Sequence, residues 1–210
     1  MSGISMVVAI FGVIILSAVG TALWKKKLFS TIYGALEQKD YDNFFKKLDS
    51  KSAKAMLPPY TREMLRLTAY IRRDEDAAVT EQFNRMMKME LAGYQLCELL
   101  VKGFQYYQGV GNAGRCCKIS DRMQEVLSPE MAGKYRRHCE IVFQGSDSYK
   151  EELEEGIGQH QGRMQGYLEY LLAKTCKNQN DMAGCQLYLR RAAAVYKTTV
   201  SELDRQVRVI

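Results

Sequence analysis

No Asp, Glu, Lys or Arg occurs among the first 24 residues, and proline occurs only at Pro58, Pro59 and Pro129 in a chain of 210. The first absence excludes an ordinary surface helix at the N-terminus, which would keep one charged face. The second leaves long stretches free to run as helix. Strand-like alternation is nearly absent too, so a sheet is not expected. Histidine occurs twice, at His138 and His160, and neither belongs to an HExxH or triad-like pattern. None of the six cysteines (Cys97, Cys116, Cys117, Cys139, Cys176 and Cys185) forms a CxxC pair, so they read as small core residues. A reducing cytoplasm would leave them free, whereas an oxidising compartment would favour pairing.

What the chain has at its start is an apolar run from Ile4 to Trp24, ending at Lys25, Lys26 and Lys27. A helix of about 20 residues rises about 30 Å, the thickness of the hydrocarbon layer of a bilayer. Ile4, Val7, Phe11 and Ile15 are among the large side chains that surround this helix, and Trp24 falls at interface depth. Lysines after the run and none before it predict an outside N-terminus and a cytoplasmic C-terminal domain. They would also be drawn to anionic lipid. A cleaved signal peptide is the competing reading, with Gly20-Thr21-Ala22 as cleavage site, but no basic segment precedes the run. Ser17/Thr21 and Ala18/Ala22 have the spacing of small residues that bring membrane helices together.

The 186 residues after the run carry the whole formal charge of +6. That length suits one domain or a short array of repeats. Acidic stretches such as Glu151 to Glu155 are interleaved with basic ones, so no nucleic-acid footprint is expected.

Apolar residues recur at helical steps, as in Leu65, Ala69, Tyr70 and Ile71; in Leu96, Leu99, Leu100, Phe104 and Tyr107; and in Tyr167, Tyr170, Leu171 and Leu172. Candidate N-caps at Asp40, Asp74, Asn112, Asp147 and Asp181 are spaced by 34, 38, 35 and 34 residues. Five residues before each stands Ala35, Ala69, Tyr107, Val142 or Cys176, a constant apolar phase. Pro58 and Pro129 follow two of these caps and are expected to end second helices. This period and phase resemble the tetratricopeptide repeat family, over about residues 28 to 200. Asn112-Ala113 and Asp181-Met182-Ala183 are similar to the family's turn into a small residue, although its Trp-Leu-Gly pattern is absent and the one tryptophan lies in the anchor.

The apolar run and the helical spacing together predict an all-α chain that begins with an N-terminal transmembrane helix, and the resemblance implies that an α-solenoid of about five helix-turn-helix units follows it. Residues 1–27 would form the anchor and its basic flank, 28–200 the repeat domain, and 201–210 a polar end cap or tail.

Gly109-Val110-Gly111-Asn112-Ala113-Gly114 satisfies a dinucleotide-binding pattern, but the preceding Leu99–Gln108 has helical spacing rather than that of a buried strand. An inter-helix turn is the better reading. His138 and Cys139 are chain neighbours and point about 100° apart on a helix, a poor chelate. Vicinal Cys116-Cys117 lacks a visible activating partner. No enzyme, metal or cofactor is therefore expected. First helices of the family line a concave binding surface, and here they would bring Arg62, Arg66, Tyr94, Tyr106, Lys134, Arg136, Arg137, Arg163, Tyr167, Tyr170 and Lys174 to a basic, tyrosine-rich groove suited to an acidic peptide. The function implied is a membrane-anchored adaptor that binds protein or peptide partners in the cytoplasm. The alternatives are an exported helical assembly or folding factor and an organelle-surface import receptor.

Overall fold

A computed structural model describes residues 3–209, with side chains for residues 20–204 and 206–209. The described residues are helical throughout, joined by short turns and without strands. They fall into two compact units, Met1–Met89 and Glu90–Ile210.

In the first unit α1 (Gly3–Glu37) leads to α2 (Tyr41–Leu48), the short α3 (Lys51–Met56), α4 (Pro59–Arg72) and α5 (Asp76–Met86). The helix α1 runs unbroken past Lys25–Lys27 for 35 residues, about 52 Å at about 1.5 Å per residue. Its last turns place Ile32, Ala35 and Leu36 on one face, where they pack with Phe44 and Leu48 of α2, Ala53, Leu57, and Leu65 and Ala69 of α4. Among the described residues no helix is long and apolar enough to cross a membrane, so the expected single-pass topology has no support there. The anchor residues Ile4, Val7, Phe11 and Ile15 lie outside the residues whose side chains are described.

The second unit contains α6 (Gly93–Gly109), α7 (Ala113–Met123), α8 (Pro129–Val142), α9 (Lys150–Gln159), α10 (Gly162–Asn178), α11 (Met182–Tyr196), a 3-10 turn at Val200–Glu202 and α12 (Leu203–Gln206). The central helix is α10, which packs on α8, α9 and α11 and is buried from Gly166 to Ala173. Gly166 permits the close approach of α11: a Cβ there would lie 2.7 Å from Val195 Cγ1.

One turn recurs in both units. The residues Lys39, Asp74, Gly111 and Asn180 adopt left-handed φ values of 58°, 54°, 71° and 60°. Each is followed by an N-cap whose amide donates to the carbonyl five residues back: Asp40 to Ala35, Glu75 to Tyr70, Asn112 to Tyr107 and Asp181 to Cys176. Three of the caps complete the turn with a side chain, Asp40 accepting from the Asn43 amide, Asn112 from Arg115 and Asp181 from Gly184. The turn thus joins α1 to α2, α4 to α5, α6 to α7 and α10 to α11.

Several sequence expectations need correction. The second cap is Glu75, because Asp74 takes the left-handed position. Asp147 caps nothing: α8 ends in a loop with Gly145 at φ 76°, and α9 begins after Tyr149. Pro58 is the N-cap of α4 and Pro129 the first residue of α8, so both mark the start of a helix, where a missing N–H costs nothing, rather than ending second helices. Residues 201–210 are not merely a polar cap, since Leu203, Val207 and Val209 are buried. The glycine-rich stretch is the expected turn, Gly109 ending α6 and Asn112 capping α7.

Candidate functional site

Within the second unit the C-terminal segment turns back onto α6 and α10. Leu203 and Val207, one helical turn apart, are fully buried, and Val209 is nearly so. Polar contacts fix the register of this segment. The Asp204 carboxylate accepts from the Tyr170 hydroxyl at 2.8 Å and pairs with the Lys174 ammonium at 2.8 Å, both from α10. The Val207 carbonyl accepts from Gln108 Nε2 of α6 at 2.9 Å. Burial works against charge on Asp204, but the hydrogen bonds from Lys174 and Tyr170 outweigh it and hold the carboxyl below its ordinary pKa.

Beside this seat stands His138 of α8, fully buried. Its ring stacks on Tyr167 at 6.0 Å and on Tyr170 at 6.3 Å and meets the edges of Phe104 and Phe143. Nδ1 is 3.3 Å from the Tyr167 hydroxyl, whereas Nε2 has no partner among the described residues. Burial, with Lys174 and Arg208 adding like charge against the weaker pull of Asp204, lowers the His138 pKa to about 3, so the ring is neutral at physiological pH. Burial likewise raises Tyr167 and Tyr170 well above ordinary phenols. Gln108 Oε1 and the Tyr196 hydroxyl, like His138 Nε2, are buried without partners among the described residues. The site can hold a carboxylate and a backbone carbonyl, flanked by seats for three aliphatic side chains.

All the expected groove residues lie on α4, α6, α8 or α10, divided between the two units. Arg62 and Arg66 belong to the first unit. There Arg66 bonds Asp49 at 2.6 Å, pairs with Glu63 at 3.6 Å and sits over Phe45, while Arg62 Nε is buried without a partner among the described residues. In the second unit Lys134, Arg136 and Arg137 are matched by Glu130, Glu140 and Glu152, giving α8 a face of mixed charge. Arg163 and Tyr94 are exposed, and Tyr106 is half-buried against Tyr107. Tyr167, Tyr170 and Lys174 come together, with both tyrosines buried rather than open to solvent.

Gln108, His138, Leu203, Asp204 and Val207 complete the site and were not expected in it. A signal existed for two of them, the four-residue spacing of Leu203 and Val207. Of the groups set aside for chemistry, His160 is exposed, its Nδ1 2.8 Å from the Gly156 carbonyl. Cys116 and Cys139 are buried, which pushes Cys116 up to about 12. All six cysteines are free. Among the described residues no group of three or more His, Cys, Asp or Glu is placed to hold a metal ion. No protein-family model, curated protein or solved structure matches the chain.

Proposed function

We propose that the protein is a membrane-tethered, non-catalytic adaptor whose helical array, of tetratricopeptide type, binds partner peptides in the cytoplasm. The tether is the apolar run Ile4–Trp24, oriented by Lys25–Lys27. Recurrence of one capped turn at Asp40, Glu75, Asn112 and Asp181 supports the repeat reading. The observation that carries the binding reading is the seat of Asp204 on Tyr170 and Lys174, with Leu203 and Val207 buried on either side. An acidic residue preceded by one aliphatic side chain and followed by another three residues on is the partner chemistry that this seat selects. The chain's own C-terminal segment fills it and would compete with such a partner at the high effective concentration of an attached ligand.

The test is binding of a labelled peptide with the sequence of residues 201–210 to the full chain and to its Asp204→Lys variant. Asp204→Lys removes the carboxylate that Lys174 and Tyr170 hold, so the attached segment releases and the free peptide binds the variant more tightly than the wild type. Saturable binding to neither chain would discard the groove. Protease added outside sealed cells tests the tether separately: cleavage of the C-terminal domain from outside would overturn the cytoplasmic orientation.

A further inference from the structure

In the first unit the end of α2 lies beside the α1 segment that follows the apolar run. Together they line a cleft of ≈ 480 Å³ that includes Trp24, Lys27, Thr31, Lys46, Lys47 and Ser50 and has no acidic residue among its lining side chains. The three lysines form no ion pair among the described residues. Of the acids on or beside α2, Asp49 holds Arg66, Asp40 caps the helix, and Asp42, one turn before Lys46, pairs with none of the three lysines. At the end of the cleft nearest the apolar run the lining residue Trp24 is 60% exposed, and its chain neighbour Leu23 is 64% exposed. Uncompensated ammonium groups beside an exposed indole are what a membrane–water interface accommodates, with phosphates above and acyl chains below.

We propose that this cleft binds anionic phospholipid headgroups, with Lys27, Lys46 and Lys47 on the phosphate and Trp24 at the acyl boundary. The inference rests on Ile4–Trp24 being a membrane segment, and it adds that the first unit sits down on the bilayer through α2 instead of standing away from it on α1. The unbroken α1 makes this possible, because no linker separates the end of the apolar run from the face that carries Trp24, Lys27 and Thr31.

The experiment places the full chain in nanodiscs of phosphatidylcholine, with and without phosphatidylglycerol. A water-soluble amine-acylating reagent is added, and peptide mass spectrometry reads modification of Lys46 and Lys47 against exposed Lys118 and Lys197. Phosphatidylglycerol should slow labelling of Lys46 and Lys47 by about fivefold while leaving the reference lysines unchanged. Lys27→Glu should remove most of that protection. Equal labelling in both lipids would overturn the proposal, and so would equal protection by inorganic phosphate added to phosphatidylcholine discs, which would identify a site for soluble phosphate. Alkaline extraction from phosphatidylcholine vesicles reports on the tether alone: a chain that washes off yet is protected by phosphatidylglycerol keeps the headgroup site and loses the membrane span.

Discussion

The two units solve the same packing problem with different materials. The first closes around aliphatic and aromatic side chains contributed by neighbours in sequence, from Ile32 to Ala69, and its one fully buried polar residue among those described, Gln82, bonds the Glu63 carbonyl and carboxylate. The second buries Gln108, Ser120, His138, Glu169 and Thr175, and it is closed by a segment that returns across 99 residues from Val207 to Gln108. Orphaned atoms on Gln108, His138 and Glu169 each cost about 1–3 kcal/mol. A core that needed only stability would have replaced them with apolar groups. The first unit has one such orphan, Arg62 Nε at its edge, and a core of apolar side chains, whereas the second holds several polar groups around a replaceable segment.

Apolar packing itself should matter equally in both units. Phe44 and Phe104 are each fully buried, and Phe44→Ala and Phe104→Ala should each cost about 3–5 kcal/mol, read by denaturant unfolding. A much smaller loss at Phe104 would break the comparison, because it would mean that the second unit is held chiefly by its polar contacts.

Acid should separate the units more clearly. A histidine whose folded pKa is depressed contributes stability that is complete above its ordinary value of 6.5 and is lost as pH falls toward the folded value of about 3. The unfolded chain takes up a proton that the buried ring refuses, which costs about 2 kcal/mol at pH 5. His138→Phe keeps the aromatic stack but leaves the Tyr167 hydroxyl unpartnered, so it should be less stable than wild type at pH 7.5 by about 1–2 kcal/mol. Its stability should then hardly change down to pH 5, where the two proteins become similar. A wild-type slope that survives His138→Phe would assign the acid sensitivity to other groups.

The attachment of the C-terminal segment is a smaller effect. Asp204 is 64% exposed in its pair with Lys174, so Lys174→Met should cost only about 0.5–1 kcal/mol of global stability. It should nevertheless hasten tryptic cleavage after the half-buried Arg208, since the segment opens locally without the unit unfolding. Unchanged cleavage would show that Leu203 and Val207 alone hold the segment in place.

Much of this architecture is legible in the sequence, and the failures have physical causes. The helices follow from apolar spacing, and three of the turns follow from Asp40, Asn112 and Asp181, whose short side chains can reach the third amide of the next helix. Pro58 and Pro129 mislead because a proline between two helices can equally end one or begin the next. The charge balance of the expected groove is not legible in composition, because opposite charges on neighbouring turns compensate each other: Arg136 and Glu140 are paired four residues apart. The C-terminal segment is obscured by its own polarity, with three buried aliphatic residues spread among Asp204, Gln206 and Arg208. Nor can local sequence show that His138 is neutral, since its surroundings come from α6, α10 and the C-terminal segment.

The turn between α4 and α5 gives the finest test, because it repeats a backbone without repeating its chemistry. Glu75 has φ −91° and ψ 76°, close to Asp40 at −83° and 75°, Asn112 at −83° and 80°, and Asp181 at −81° and 85°. Those three cap their helices with a side-chain oxygen, whereas Glu75, one methylene longer, makes no such bond and instead pairs with Arg73 at 2.6 Å. Shortening it places a carboxylate where the other three stand, within reach of the Ala78 amide. Glu75→Asp should therefore stabilise the first unit by about 0.5–1 kcal/mol, less whatever the exposed pair with Arg73 contributes. In the other direction, Asp40→Ala should destabilise the same unit by about 1 kcal/mol. Opposite signs at two positions of equal backbone geometry, read in one denaturant series, would establish that the side-chain oxygen matters and not the bend itself. Equal losses would mean that the ion pair with Arg73, rather than a missing cap, is what this turn relies on.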